Sequence, residues 1–566
     1  MHSSRRRRPL FPTIVLSLKW LCFFFCLNPC LPAKSNHHHS NAAEVVQSMN
    51  QQVKNGESLV VFKDSTNQVH SSTYKKSCKK LDISKLKAIE IDEEGLVAHV
   101  EPCVDMETLV DACLARGLLP VVAPEFRRIT VGGAVMGAAL ESSSHAHGQF
   151  HDACAYLTLL TGDGRRRTCS PASEPALFHG VSGSYGSLGV LLGAGVRLER
   201  AGPAVRVRCK VYSSPEQALL AMEMACRPID GEPPPGGGGR ARFVDALALP
   251  PQQGGKVVVM TADYCDGPDR EAGETLERLD RPWDKWYFER VRERAHGRGL
   301  EEWTWVHPAR DYIFRYDRGC FWMARPLAFS FRELTPATFF FFLMTDSNLL
   351  SRLLFRWLYT AGRLYRVLGR APPKVVAQKI VAMDIYCPLR HAAMLIDYVR
   401  CTVPISTPLW LCPVRPASAC HPPGPPGAAA AAAEDAALLQ PLAPHAAEGP
   451  RGGLLVNVGV YGRVADGQGH LHSRRLEHWA AAHRARKMLY SQNFYSEEEF
   501  WNIYDKEAYR SLRERYGAEG RFPDVYTKTC ADSRALLPRC NKGAESLDQD
   551  TRLRTKVAET IANLLM

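Results

Sequence analysis

The residues from Thr130 to His147 read Thr-Val-Gly-Gly-Ala-Val-Met-Gly-Ala-Ala-Leu-Glu-Ser-Ser-Ser-His-Ala-His, and of the whole chain they best combine types and spacing that could do chemistry. Gly132, Gly133, Ala134, Gly137, Ala138 and Ala139 carry nothing longer than a methyl group. A glycine inside a regular element costs roughly 0.5–1 kcal/mol relative to alanine, so a chain keeps such residues where its backbone must come close to something. The Glu141-Ser142-Ser143-Ser144 that follows adds hydroxyls and free amides, which suit phosphate oxygens and ribose hydroxyls. The segment is too rich in glycine and alanine for a core strand. It reads as a cofactor cradle; on composition alone a tight turn packed under a helix is the alternative.

The elements around it have the alternation of an α/β unit. Ser58 to Phe62 is a short apolar strand running into Lys63-Asp64-Ser65-Thr66-Asn67. Leu96 to Val100 is a second strand, closed by Glu101-Pro102. Met106, Leu109, Val110 and Cys113 then recur at helical spacing between Asp105, a predicted N-cap, and Gly117. Leu118 to Ala123 is apolar again and stops at Pro124. Beyond the cradle, Tyr156 to Leu160 and Arg165 to Thr168 flank Gly162-Asp163-Gly164 as a hairpin. Leu177-Phe178-His179-Gly180, Gly183, Gly186 and Gly189 lead into a strand from Val190 to Leu198; these glycines either close over a ligand or relieve packing.

With 566 residues and 45% apolar composition the chain can build a sizeable core. Its net charge of +12 is spread along the sequence without a basic-aromatic module, which argues against nucleic acid and for an anionic ligand or membrane surface. The 18 cysteines include no CxxC pair and no metal spacing, so most are expected to be reduced and buried, and no metal site is expected. Arg5 to Arg8 precede an apolar run from Leu10 to Leu27. Residues 1–32 therefore read as a signal peptide or a signal anchor, with the charge bias placing the amino terminus in the cytosol. His37 to His39 read as solvated linker.

The pattern Thr-Val-Gly-Gly-x-x-Met-Gly-x-x-x-Glu-Ser-Ser-Ser-His resembles the flavin loop of the delta-24-sterol reductases, the Diminuto/Dwarf group within the vanillyl-alcohol-oxidase or p-cresol-methylhydroxylase type of FAD proteins. The resemblance resumes at Arg281-Pro282-Trp283, Asp311-Tyr312, Arg315 to Gly319, Pro408 to Pro413, Val456 to Gly462 and Lys487 to Tyr526. It implies an α+β fold: a two-subdomain FAD-binding domain of p-cresol-methylhydroxylase type at 43–204, then a substrate or cap domain at 205–412, whose remainder at 454–530 returns to the flavin. It also implies noncovalent FAD held by Thr130, Val131, Gly132, Gly133, Ala134, Val135, Met136, Gly137, Ala138, Ala139, Leu140, Glu141 and Ser142, with Gly183 and Gly186 closing the site. Where relatives carry a glycine-rich pyrophosphate loop, this chain has Ser65, Thr66 and Asn67 to offer amides and hydroxyls. NADPH is the implied electron source, a sterol C24–C25 double bond the implied substrate, and the endoplasmic reticulum membrane the implied location. His70, His145 and His147 fall in the flavin region but are not expected to tether it.

Reducing an isolated alkene needs a proton and a hydride on adjacent carbons in a dry pocket. Tyr490 and Lys487 are the proton-donor candidates because they sit in the tail segment that resembles a flavin-facing element. The arginines among aromatics at 315–318 either bind a nicotinamide dinucleotide or pack at a surface. At 100° per residue Arg352, Arg356, Arg363, Arg366 and Arg370 fall within about 80° of arc, opposite Leu353, Leu364, Tyr365 and Leu368. Residues 349–370 are therefore expected to form an amphipathic helix lying in a membrane interface, with a surface helix on the protein's own core as the alternative. The Pro, Gly and Ala composition of 413–453 predicts a disordered insert. A flavin oxidase of the same fold acting on an alcohol or lactone, and a membrane flavoprotein used only as a scaffold, remain as rival readings.

Overall fold

The computed structural model describes residues 38–54, 57–63, 73–227, 241–281, 283–297, 301–324, 352, 359–416, 442–444, 453–534 and 536–537. Those from Ser40 onward form one compact unit. The segment read as a signal peptide or anchor, Ser65, Thr66, Asn67, His70 and most of the stretch 349–358 lie outside the described residues.

Sixteen strands among the described residues make three sheets of mixed helix and strand architecture. A small parallel pair joins β1 (Leu59–Phe62) to β2 (Lys79–Asp82). The second sheet contains β3 (Ile89–Asp92), β4 (Val97–Val100), β5 (Leu118–Pro120), β6 (Cys154–Thr161), β7 (Arg166–Cys169) and β8 (Gly189–Arg200). Its order is β3-β4-β8-β6-β7, with β5 paired to the far end of β8. At twelve residues β8 is long enough to pair with three neighbours, and so it carries the sheet. The third sheet starts as soon as β8 ends: β9 (Ala204–Tyr212), β10 (Phe243–Ala248), β11 (Val257–Cys265), β12 (Glu302–Pro308), β13 (Ile380–Pro388), β14 (Leu409–Val414), β15 (Leu455–Arg463) and β16 (Arg486–Lys487). Its order is β12-β9-β11-β10-β14-β15-β13-β16, antiparallel throughout.

Period-2 alternation decides what the large sheet shows to each side. Val244, Ala246, Val381, Met383, Ile385, Val456, Val458 and Val460 pack on one face against the helices Pro215–Cys226, Leu389–Thr402 and Gly469–Ala482. The intervening positions, Asp245, Asp384, Tyr386, Trp410, Asn457 and Tyr461, belong to the other face, where the buried residues join the core of the second sheet. Gly459 stands opposite Asp384 in the ladder, and a Cβ there would lie 2.6 Å from the Tyr461 hydroxyl; the glycine leaves that hydroxyl room to reach Asp384. The tail closes the two halves together, with the Tyr509 hydroxyl on Ser187 at 2.8 Å and the Arg513 guanidinium on the Ser187 carbonyl at 2.7 Å.

Two expectations are corrected here. Leu364 and Leu368, read as facing lipid, are 4% and 9% exposed and pack with Tyr365 against the main core, so the helix Ala361–Arg370 turns its apolar face inward. Arg352 is itself buried, at 7% exposure, rather than part of an outward basic face. The region 413–453 is not wholly an insert either: β14 continues to Val414, and Leu442 and Ala443 are buried, with the Arg486 guanidinium on the Ala443 carbonyl at 3.0 Å. Composition hid this because one leucine is enough to fill a local hole. Residues 417–441 and 445–452 lie outside the described residues.

No helix among the described residues is long and apolar enough to cross a membrane.

Candidate functional site: a cavity with a lysine side and a carboxyl side

The glycine-rich segment begins with a helical turn rather than an open loop. Val131–Met136 is helical, and the Thr130 side chain caps it by accepting from the Gly133 amide at 3.2 Å. Gly132 lies on Pro102, donating to its carbonyl at 2.9 Å, and a Cβ at Gly132 would come within 2.9 Å of the proline ring. A Cβ at Gly133 would meet Thr130 Oγ1 at 3.1 Å and Lys63 Nζ at 3.3 Å. Thr130, Gly132, Gly133, Met136, Gly137, Ala139 and Leu140 line a cavity of about 580 Å³ between the two halves, joined by Gly186. That volume lies in the usual range for a small-molecule or cofactor site.

The other residues named from the sequence stand elsewhere. Val131, Ala134 and Val135 point into the core, and Ala138 takes a left-handed backbone at φ 57° behind the wall. Glu141 and Ser142 leave the cavity and meet Arg315, whose guanidinium bonds Glu141 at 2.9 Å, Ser142 Oγ at 3.3 Å and Asp245 at 3.2 Å, all fully buried. Gly183 has φ +73°, and its Cβ position is taken by the Leu442 carbonyl at 2.6 Å; its role is packing on that short segment. Arg315 sits between the rings of Tyr312 and Tyr316, at 4.1 and 4.7 Å, so it is neither a surface residue nor open to a dinucleotide. It ties the end of the cradle to β10.

Lysines that sequence reading passed over gather on one side of the cavity: Lys63, Lys75, Lys76, Lys80 and Lys528. Lys63 donates to Thr130 Oγ1 at 2.6 Å, and Lys528 donates to the Tyr185 and Gly186 carbonyls at 3.2 and 2.8 Å. Burial lowers the Lys63 ammonium to about 8, and lowers Lys528 to about 7 with a further push from the nearby Arg513 and Lys75 charges. No carboxylate lining the cavity bonds either one. Buried cations with only neutral partners cost desolvation energy that an anionic ligand would offset.

The opposite side is apolar and aromatic, with Phe126, Phe321, Tyr365, Trp410, Met488 and Leu364 around two carboxyl groups, Glu125 and Asp384. Asp384 accepts from the Tyr461 hydroxyl and from Asn457 Nδ2 at 2.7 Å on one oxygen, and from the Tyr490 hydroxyl at 2.8 Å on the other. Burial pushes Asp384 up from its ordinary value while those three donors pull it back. Burial, and then the negative charge of Glu141, drive Glu125 well above the usual carboxyl range. Tyr490 thus stands in the cavity wall, but Lys487 does not. Neighbours in an extended segment point to opposite sides, and Lys487 is buried with Glu477 at 3.0 Å and the Gln492 carbonyl at 2.9 Å. It is a structural ion pair.

This donor set fits FAD. A flat ring system needs backbone at close approach along one wall, which the small residues provide, and a pyrophosphate needs cations, which the lysine side provides with only neutral hydrogen-bond partners on Lys63 and Lys528. Residues 38–170 match the family model described as an FAD binding domain. The chain is 27% identical over 468 residues to the Delta(24)-sterol reductase of Homo sapiens, covering 81% of this chain and 79% of that protein. It is 25% identical over 459 residues to the Delta(24)-sterol reductase of Arabidopsis thaliana, covering 78% and 74% respectively. A shorter match, 30% over 130 residues, 23% of this chain and 25% of that protein, is to Cytokinin dehydrogenase 4 of Arabidopsis thaliana. The chain is therefore similar to Delta(24)-sterol reductases of animals and plants across both of its halves, and it carries an FAD-binding domain.

Proposed function

We propose that this protein is an FAD-dependent oxidoreductase that reduces the C24–C25 side-chain double bond of a sterol, with NADPH as electron source. The observation that carries the reading is one cavity whose lysine side suits a dinucleotide pyrophosphate and whose other side is apolar enough for a sterol side chain. The flavin, when bound and reduced, supplies a hydride. Lys63 and Lys528 hold the anionic part of the cofactor, and the wall from Thr130 to Leu140 orients its ring. The apolar side chains around Asp384 exclude water. We read the fold as the p-cresol-methylhydroxylase type, with residues 43–204 as its flavin-binding part.

The FAD is held noncovalently, by the lysine side and the small-residue wall. The similarity to the reductases runs through the large sheet, whereas that to the cytokinin dehydrogenase spans only 130 residues, and this favours reductase over oxidase. Arg363 and Arg366 are exposed on the outer side of their helix and suit an anionic membrane surface, in keeping with a sterol enzyme of the endoplasmic reticulum.

The test is spectroscopic. Purified protein should be yellow, release FAD on acid precipitation, bleach with NADPH in the absence of oxygen, and regain its colour when desmosterol is added. Flavin that stays with the precipitate rejects noncovalent binding. Bleached protein that desmosterol never reoxidises rejects the reductase reading.

A further inference from the structure

Protonating an alkene that carries no activating group needs an acid stronger than a phenol or a thiol, and it must be placed where water is absent. On the apolar side of the cavity the proton carriers are Glu125, Asp384, Cys320, Tyr185, Tyr365, Tyr461 and Tyr490. Five of the seven are a thiol or phenols, whose ordinary pKa values of about 8.5 and 10 make them weaker acids than a carboxyl by four or more powers of ten. Burial raises these groups as it raises the two carboxyls, so it gives the phenols and the thiol no advantage. The hydroxyls of Tyr461 and Tyr490 are in any case turned to Asp384 and give their protons to it. Asp384 already accepts three hydrogen bonds, from Tyr461, Asn457 and Tyr490, and these donors favour its charged form rather than a free acid.

Glu125 is arranged differently. It is 8% exposed, lines the cavity, and among the described residues its carboxyl meets no donor beyond its own backbone amide. The chain around it is pinned: the Arg127 amide bonds Asp317 at 3.2 Å, the Ile129 amide bonds the Phe126 carbonyl at 3.1 Å, and the Phe126 ring packs edge-on against Phe321 and Tyr365. The same segment runs directly into Thr130, the cap of the flavin wall, so it fixes the distance between acid and cofactor site.

Resting on the reductase reading, we infer that Glu125 is the acid that protonates the sterol double bond. The π pair of the alkene takes the proton from the Glu125 carboxyl at the less substituted carbon and becomes a C–H bond. The tertiary carbon, now cationic, would take the hydride that reduced FAD, held at the wall from Thr130 to Leu140, would supply. Glu125 is left as a carboxylate and recovers its proton from solvent before the next turnover. Overall the alkene gains one proton and one hydride, and the two electrons would come from the NADPH of the proposed reading. Burial and the Glu141 charge support this by raising the Glu125 pKa above the usual carboxyl range, which favours the protonated form the step starts from.

The experiment separates the half-reactions. With flavin already reduced and oxygen excluded, Glu125→Gln should be reoxidised by desmosterol about 10²–10⁴-fold more slowly than the wild type, the range for loss of a general acid. Its FAD content and its rate of bleaching by NADPH should stay within about two-fold. Glu125→Asp, which keeps the acid but withdraws it by one methylene, should recover part of the loss. Independently of turnover, the infrared difference spectrum of the wild type on binding desmosterol should contain a neutral carboxyl band that shifts in D2O and is missing from Glu125→Gln. Reoxidation of Glu125→Gln within about three-fold of the wild type overturns the inference, as does a wild-type spectrum without that band. If Glu125→Gln loses its flavin, Glu125→Asp and the wild-type band decide. A wild type that desmosterol never reoxidises brings down the reductase reading, a result distinct from a variant that reacts normally.

Discussion

The lysine side and the carboxyl side of the cavity meet the same force and resolve it in opposite ways. Burial disfavours charge on both, lowering Lys63 and Lys528 and raising Glu125 and Asp384. On the lysine side the cations have a threonine hydroxyl and carbonyl oxygens, groups that can satisfy hydrogens but cannot cancel charge. That side is complete only with an anion in place. On the carboxyl side three donors serve Asp384, while burial and the Glu141 charge favour the protonated form of Glu125. That side needs no charge from its ligand and would be harmed by one. In the proposed function one cavity takes a dinucleotide and an apolar chain together, each against the wall that suits it.

The comparison breaks most completely at Gly133. Its missing Cβ would lie 3.1 Å from Thr130 Oγ1 and 3.3 Å from Lys63 Nζ, so the branched side chain of Gly133→Val must displace the lysine or fill the cofactor's place. Overpacking of this kind costs about 3 kcal/mol at the upper end of its range, or roughly a hundred-fold in FAD affinity. Flavin titration of the purified variant measures it; the sterol side is expected to be unaffected. Full flavin occupancy at wild-type affinity would remove the cradle from this wall.

The next effect is smaller and comes from protons. In the free protein Lys528 titrates at about 7 and Lys63 at about 8, and a pyrophosphate beside them raises both. FAD affinity should then be flat below pH 7 and fall as the pH rises through 7 and then 8, by up to about ten-fold per unit for each lysine. The flavin-free protein should behave in the reverse sense. Its unfolded chain holds lysine protons up to about pH 10 that the folded one has released, so its stability gains from these groups between pH 7 and 10. Lys528→Met should flatten the first part of the affinity curve. An affinity that does not vary between pH 6 and 9 would mean that the phosphates lie elsewhere.

The two sides also differ in how far they could be read before the fold was known. The cradle was legible because its small residues are consecutive, and close approach of a backbone writes itself into one run of sequence. The lysines come from positions 63, 75, 76, 80 and 528, and lysines in such contexts ordinarily lie in water; the pairing of β1 with β2 gathers the first four, and the return of the tail to Tyr185 and Gly186 adds Lys528. For the carboxyl side a signal did exist. In Ile-Val-Ala-Met-Asp-Ile-Tyr-Cys-Pro the alternate residues Val381, Met383 and Ile385 are apolar, and a lone aspartate on the second face of a doubly buried strand asks for partners. Glu125 left no such trace beside Pro124. The stretch 349–370 teaches a separate point. Periodicity correctly separated Leu364 and Leu368 from Arg363 and Arg366, but an apolar face has the same pattern whether lipid or the protein's own cavity covers it.

The smallest effect is expected where the sequence placed the proton donor. Tyr490→Phe removes one of three donors to Asp384 and leaves Tyr461 and Asn457 in place, so the loss is one hydrogen bond to a buried acid, about 2 kcal/mol of stability. The phenyl ring keeps the volume, so FAD content should not change. Because the Tyr490 proton points to Asp384 and not into the cavity, desmosterol should reoxidise the reduced variant within about ten-fold of the wild-type rate. If Tyr490 were itself the acid, the same substitution would slow that step by 10²–10⁴-fold with little effect on stability. Melting temperature and single-turnover reoxidation on one preparation therefore assign the proton to Tyr490 or leave it with Glu125.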